Sequence, residues 1–500
     1  MNSTYASHLK GKMARFWSLT LLMAIGATVW VASPATASTD AAEPAAAVTE
    51  TRDAASDSSA SVPVSIIQAD GAYQLIRGGQ PYFIKGVGGS SYLAEAAAAG
   101  ANAIRTWGAH DAGLILDQAD RYHMTVMLGI WMSQSAVDYL DPGYRARKVE
   151  EVRQLVTAYR DHPALLMWSI GNEINLSGGG TPAAWQFVDE LAAMIKNLDA
   201  NHPVISVIAY DDDTLNVIAD HAPQLDAVGI NAYGAIESVR AMIESSRFKG
   251  PYIVTEWGVD GHWEAQLTVW GRPIEPPSAR KASFHLDRYN RDIIANRDRC
   301  LGSYVFLWGQ KQERTPTWYS MFIETLPGEP IATMACPTVD VMRFNWSGSW
   351  PVNRAPDVEQ LTIDDISADG DVRLDAGRAF IARVAASDPD NDGLRFVWEI
   401  MEEPTVLGNG GSAEPRPQVR GSVVTTDRPE LDLAAPAEAG DYRLFVYVLD
   451  KNGHAGTANI PFQVAPTIPG NPPEVMPGEA PVEVPADASE LASASVKQAL

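Results

Sequence analysis

The sequence predicts a (β/α)8 TIM barrel followed by a small all-β immunoglobulin-like sandwich, an α/β fold with an all-β appendage. Three observations predict it. Eight short apolar runs rich in β-branched residues lie at 82–88, 101–108, 125–131, 165–173, 203–209, 227–234, 252–258 and 302–308. Parallel strands covered on both faces read in this way. Amphipathic stretches such as 149–160, 184–198 and 279–297 separate them, as crossover helices between parallel strands must. Beyond residue 355 the pattern changes to alternating segments at 380–385, 394–400 and 442–449, broken by Asp, Gly and Asn turns. A doubly wound open sheet is the competing arrangement. It would bring a phosphate-binding turn after the first strand, and Gly86-Val87-Gly88-Gly89 lacks that spacing.

Taken in chain order, residues 1–37 read as a signal peptide. Lys10, Lys12 and Arg15 precede an apolar stretch at 16–32, and Ala35-Thr36-Ala37 offers small residues for cleavage before Ser38. The stretch is short for a membrane span, so cleavage and export, periplasmic or secreted, are expected, with no membrane contact afterwards. Residues 38–62, rich in Ala, Ser, Thr, Asp and Glu, read as a disordered linker. The barrel is expected over 63–354 and the sandwich over 355–465. Residues 466–500, rich in Pro, Ala and Glu, read as a disordered tail. A chain of 500 residues suits two cores, and 46% hydrophobic with 20% charged residues is ordinary globular composition. The formal net charge is −24, and loss of the three basic residues of the signal peptide makes it more acidic still. Such a surface repels nucleic acid and anionic membranes and suits a neutral partner. A monomer is expected.

The two cysteines sit at opposite ends of the eighth predicted strand. Cys300 precedes it, and Cys336 follows the long loop after it. A strand of about seven residues at ~3.3 Å each separates its ends by roughly 20 Å, whereas a disulfide needs Cα atoms within ~7 Å. Two free thiols are expected.

Barrels carry reactive groups at the C-terminal ends of their strands. Two acids stand there. The fourth predicted strand ends Trp168-Ser169-Ile170-Gly171-Asn172-Glu173, and the seventh reads Ile253-Val254-Thr255-Glu256-Trp257-Gly258. Strands four and seven face each other across a barrel of this size, so Glu173 and Glu256 can point into one cleft. Two carboxyls ~5–5.5 Å apart are what retaining glycoside hydrolysis needs, one to protonate the leaving oxygen and one to attack the anomeric carbon. No metal or other cofactor is expected. A strand-end glutamate on its own is as often a cap or an ion-pair partner; the pair is what points to chemistry.

The run from His162-Pro163 through Trp168-Ser169-Ile170-Gly171-Asn172-Glu173 resembles the acid/base strand of clan A glycoside hydrolases. Thr255-Glu256-Trp257-Gly258 resembles their nucleophile strand, and Asn102-Ala103-Ile104-Arg105-Thr106-Trp107-Gly108 their second strand. The resemblance covers the whole barrel. It implies Glu173 as acid/base and Glu256 as nucleophile. It also implies Asn172 bonded to the sugar 2-hydroxyl, and Tyr233 and Arg105 beside the nucleophile. Trp308 is expected to floor the sugar subsite that is cleaved. Trp107, Trp131, Trp257 and Trp318 are expected to bind substrate, and Trp263 and Tyr319 belong to the same aromatic set, part of which must be plain core. His110 and His262, on loops of the same face, are read as solvated or satisfied histidines.

Asp388-Pro389-Asp390-Asn391-Asp392-Gly393 with Glu399 satisfies a calcium-loop spacing. Residues 394–400 alternate as a strand, however, and the segment reads as a β-turn between sandwich strands. A barrel followed by an immunoglobulin-like domain resembles glycoside hydrolase family 158, the endo-β-1,3-glucanases, and Ile84-Lys85-Gly86-Val87 resembles the start of fungal β-1,3-glucanosyltransferases. The resemblance therefore implies a neutral β-glucan as the partner, cleaved at β-1,3 bonds. A β-1,3-glucan transglycosylase, another clan A β-glycosidase such as a galactosidase or mannanase, and a non-catalytic carbohydrate-binding protein are the alternatives.

Overall fold

Strands form where the apolar runs lie. β1 (Ile84–Gly88), β2 (Ala103–Arg105), β3 (Thr125–Ile130), β4 (Leu165–Asn172), β5 (Val204–Ala209), β6 (Ala227–Asn231), β7 (Tyr252–Trp257) and β8 (Cys300–Val305) pair in parallel in chain order. The sheet closes where β8 meets β1, from Gly302↔Ile84 to Val305↔Val87. This computed structural model describes residues 61–324, 326, 333–408, 410 and 414–465. The expected signal peptide, the linker up to residue 60 and the expected tail lie outside the described residues.

Among the described residues eight α-helices surround the barrel: α1 (Leu93–Ala99), α2 (Ala112–Arg121), α3 (Pro142–Tyr159), α4 (Pro182–Leu198), α5 (Thr214–His221), α6 (Val239–Ser245), α7 (Ser278–Arg288) and α8 (Pro337–Ser347). Both α3 and α4 start on a proline beneath a side-chain cap. Asp141 accepts from the amides of Gly143 and Tyr144, and Thr181 from that of Ala184. The stripe Trp185, Val188, Leu191 and Ile195 of α4 packs against the outer face of the sheet. The helix expected over 279–297 ends at Arg288 and continues as one π turn and a 3-10 turn.

The barrel interior divides into two levels. The lower one is apolar: Ile84, Ala103, Met127, Met167, Ile205, Ile253 and Tyr304 form one cluster. A hairpin of Val64–Ala69 and Ala72–Arg77 closes it from below, adding Val64 and Leu75 to the cluster. Its backbone bonds to Asn201 and Asp298, just before β5 and β8. The alternation of the sequence did not foretell this plug. Gly86 is needed because the Tyr304 ring stands 2.2 Å from where a Cβ would be. The upper level is polar, with Arg105, Asn172, Asn231, Thr255 and Glu256 all buried. The site is therefore at the C-terminal mouth.

The C-terminal domain is a sandwich of two sheets. One is three-stranded, with Ala379–Ser387 between Asp357–Ile363 and Glu430–Ala434. The other runs Arg373–Asp375, Ala455–Ala465, Gly440–Leu449, Arg395–Glu402, Val419–Thr426. Phe380, Trp398, Leu444, Ile460 and Phe462 fill the space between them. The other face of the five-stranded sheet is also covered. Val397, Met401, Phe445, Tyr447 and Leu449 pack on Ile323, Met334 and Cys336, which lie between β8 and α8. Residues 442–449, expected to alternate, are therefore buried on both faces.

The 388–393 segment is a turn: Asp388 Oδ1 accepts from the amides of Asp390 and Asp392 at 2.9 Å each, and Asp392 pairs with Lys451. Cys300 and Cys336 are buried and unbridged, and burial pushes both thiols up to about 12.

An interface made of one sheet's whole face should couple the two domains. Calorimetry is expected to show barrel and sandwich melting in one transition. Phe445→Ala should destabilise the whole by about 3–5 kcal/mol in urea. A separate early transition of the sandwich would contradict the coupling.

Candidate active site

Four strand ends supply the polar level. Arg105 ends β2, Asn172 ends β4, Asn231 ends β6, and Glu256 is the penultimate residue of β7. Arg105 is only 1% exposed, and a guanidinium so placed needs an anion and acceptors around it. Its Nη1 donates to Glu256 Oε1 at 2.8 Å and to the Thr255 carbonyl at 2.7 Å, and its Nη2 to Asn172 Oδ1 at 2.5 Å. Trp107 Nε1 donates to the same Glu256 oxygen at 2.7 Å, and the Tyr233 hydroxyl to the other oxygen at 2.7 Å. Three donors, one of them cationic, thus converge on Glu256. Burial, followed by the Glu256 charge, raises the Tyr233 phenol well above its ordinary value, so it stays a donor.

Trp107 reaches this position because Gly129 makes room. A Cβ there would stand 2.3 Å from the Thr106 carbonyl oxygen and 2.5 Å from the Trp107 carbonyl carbon. The Gly129 amide donates to Thr106 Oγ1 at 3.0 Å and ties the two strands together.

Glu173 is placed by an irregularity. The pairing of β4 with β5 slips between Ser169 and Asn172, and Glu173 itself has φ 51°. Its amide still bonds the Val207 carbonyl at 2.9 Å. A left-handed conformation costs a non-glycine residue about 1–2 kcal/mol, and such bulges re-aim side chains beside functional sites. The carboxyl accepts from Asn231 Nδ2 at 2.9 Å. Asn231 also donates to Asn172 at 3.2 Å and accepts from Thr255 Oγ1 at 2.7 Å. Glu173 and Glu256 are therefore joined through Asn231 and Arg105. Burial pushes the Glu173 carboxyl up to about 7; the Glu256 charge adds to the rise, while Asn231 and Arg105 oppose it.

The structure brings Glu173, Glu256, Arg105, Asn172, Tyr233 and Trp107 together. It does not bring all the expected tryptophans. Trp257 follows Glu256 on β7, so its side chain points out of the barrel, where it stacks on Tyr289. Trp308, expected as the floor of the sugar subsite, is 1% exposed; it packs on Phe322 and Trp346 and donates to the Tyr92 carbonyl. Trp318 is equally buried and donates to the Asp260 carbonyl. These three are core residues. Trp131, 44% exposed, lies beyond β3 at the mouth.

Sequence reasoning missed three residues here. Phe306 sets its ring against Trp107, Tyr233 and Tyr319. Asn231 lies two positions before Tyr233, a spacing that could have signalled a shared face. Glu313 stands on an irregular loop that no periodicity marks. Trp263, 53% exposed, meets Tyr233 edge-on at 5.4 Å. His262 faces Glu313 at 3.6 Å, and His110 is solvated beside Asp111.

Residues 95–268 match the family model described as glycosyl hydrolases family 2, TIM barrel domain. That span holds both Glu173 and Glu256. Beta-glucuronidase of Mus musculus is 30% identical over 181 residues, 32% of this chain and 26% of that protein. Mannan endo-1,4-beta-mannosidase F of Aspergillus clavatus is 38% identical over 66 residues, 12% of this chain and 15% of that protein. The solved structure of Bacteroides uniformis beta-glucuronidase 2 covalently bound to cyclophellitol-6-carboxylate aziridine has a TM-score of 0.43 at 14% identity, covering 81% of this chain and 48% of that one. The chain spans about a quarter or less of the length of these curated relatives. The barrel is thus similar to family 2 of clan A, with glucuronidases and mannanases as relatives, and not to family 158 specifically.

The unequal surroundings of the two carboxyls can be checked without any substrate. A carbon-13 NMR titration should give Glu173 a midpoint near 7. In Glu256→Gln the midpoint should fall, because a neighbouring negative charge has gone. An unmoved midpoint would mean that the two groups do not sense each other.

Proposed function

We propose that the chain is a retaining β-glycoside hydrolase, with Glu256 as nucleophile and Glu173 as acid and then base. The observation that carries this reading is the pair of carboxyls on one buried polar level, only one of which is paired with a cation. Glu256, held by Arg105, Trp107 and Tyr233, attacks the anomeric carbon. Glu173, whose proton is retained up to about pH 7, gives it to the leaving oxygen. The resulting carboxylate then takes a proton from the water that cleaves the glycosyl–enzyme ester. Asn172, with Oδ1 engaged by Arg105 and Asn231, has Nδ2 to donate to the sugar 2-hydroxyl. The aromatic residues Trp107, Phe306, Trp131 and Trp263 offer faces and edges to sugar C–H groups.

The substrate in this reading is a neutral β-linked glycan. Around the pair, Arg105, Lys311 and Arg314 already face Glu256, Glu313 and Glu414. A sugar carboxylate would meet these acids rather than an uncommitted cation among the described residues, which weighs against a glucuronide. β-1,3-Glucan is our first choice, supported by the order of barrel and sandwich. Mannan is second, supported by the local likeness to the mannosidase. Ile84-Lys85-Gly86-Val87 adds no support for either, since Lys85 binds the Trp346 carbonyl and Gly86 accommodates Tyr304. Export under the 1–37 signal and action as a monomer belong to the same proposal.

Thin-layer analysis on laminari-oligosaccharides, mannan and an aryl glucuronide tests the substrate. Shorter laminari-products are expected; longer ones would indicate transglycosylation, and glucuronide cleavage alone would overturn the neutral reading. Azide tests the roles. With an activated aryl glycoside, Glu173→Ala should be rescued to a β-glycosyl azide, and Glu256→Ala should yield the α-azide. Swapped anomers would reverse the assignment.

A further inference from the structure

The loop after β8, residues 309–320, forms one wall of the candidate site and touches the sandwich twice. At one end Arg314 has φ 62°, a conformation that needs holding. It is held from the other domain. The Glu414 carboxylate, whose side chain is fully buried, accepts from the Arg314 amide at 2.6 Å, from Arg314 Nη1 at 2.7 Å and from the Gly408 amide at 2.8 Å. Beside it Lys311 Nζ donates to the Gly410 carbonyl at 2.5 Å and pairs with Glu313 at 2.6 Å.

At the other end Asn459 of the sandwich donates to Glu275 at 2.6 Å. The same Glu275 carboxylate accepts from Thr315 at 2.5 Å and from Thr317 at 2.8 Å. Lys281 completes this buried cluster, paired with Glu275 at 2.5 Å and donating to the Thr317 carbonyl at 2.6 Å.

On either side of the two clamps, which meet at Arg314 and Thr315, the loop presents Glu313 and Tyr319. Glu313 faces His262 at 3.6 Å and Lys311 at 2.6 Å. Burial alone would raise its carboxyl, but His262 and Lys311 outweigh that and hold it below its usual value, so it stays charged. Tyr319 packs on Tyr233 at 5.4 Å, and Tyr233 donates to Glu256. The charged groups that act on Glu173 are Glu256 from β7, Arg105 from β2 and Glu313 from this loop.

We propose that the sandwich is a working part of the active site, in which Glu414 is a positioning residue that holds the 309–320 loop, and with it Glu313 against His262 and Tyr319 against Tyr233. The catalytic consequence rests on the function proposed above; the geometry does not. When the clamp is opened, the Glu313 charge moves away from Glu173, and Glu173 should release its proton at lower pH.

The test uses the full chain with Glu414→Gln, Arg314→Ala and Glu313→Gln. Glu414→Gln keeps shape and an acceptor, and Arg314→Ala removes the partner from the barrel side, so the test does not depend on one variant folding. The Glu173 titration, read by carbon-13 NMR, needs no turnover and therefore separates a failed clamp from a failed catalytic assignment. All three variants should lower the Glu173 midpoint, and Glu414→Gln added to Glu313→Gln should lower it no further, because both act through one group. The kcat/KM of Glu414→Gln should fall, by up to about 100-fold, the scale of a misplacement of ~1 Å at a reacting centre. A Glu173 midpoint that moves in Glu313→Gln but not in Glu414→Gln or Arg314→Ala would overturn the proposal.

Discussion

The contact between Arg105 and Glu256 is 2.8 Å long and nearly closed to solvent. Charges in such a place must be matched, since an unmatched one is strongly unfavourable away from water. The polar level of this barrel holds two strand-end carboxyls, and Arg105 faces one of them directly. Glu256 takes the cation together with two neutral donors. Glu173 is left with the amide of Asn231, and it responds by keeping its proton to higher pH. Two chemically identical side chains thereby sit in unequal surroundings, one against a cation and one without, which is the asymmetry an acid and a nucleophile require.

The rest of the fold serves that level. The apolar cluster below it, sealed by the N-terminal hairpin, excludes water from beneath Arg105. Gly129 lets the backbone of Trp107 approach closely enough for its indole to reach Glu256. The bulge at the end of β4 and the left-handed Glu173 turn the second carboxyl towards Asn231. The sandwich backs the loop after β8, which is neither strand nor helix.

The barrel was legible because parallel strands buried on both faces leave continuous apolar runs, and each of the eight runs holds or overlaps a strand. The two glutamates were legible because they follow such runs directly. The tryptophans were not, because composition says how aromatic a mouth is and not which way a ring turns. Trp257 is the clearest instance: the pairing of β7 is irregular between Val254 and Trp257, so that Thr255 and Glu256 both reach the polar level and Trp257 falls in the outer core. Trp308 lies beyond the end of β8, where alternation no longer decides. Glu313 and Glu414 were hidden for a different reason. Their role depends on contacts between segments about one hundred residues apart, and no local pattern carries that information. The domain order resembles family 158, whereas residues 95–268 match the family 2 barrel model and the barrel's relatives are glucuronidases and mannanases.

The central claim is that Glu256 forms the covalent bond to the sugar. A fluorinated β-glycoside with an activated leaving group slows the breakdown of such an ester enough to isolate it. Mass spectrometry of the intact protein should show one added glycosyl unit, and peptide mapping should place it on Glu256. A label on Glu173, or inactivation without any adduct, would contradict the account.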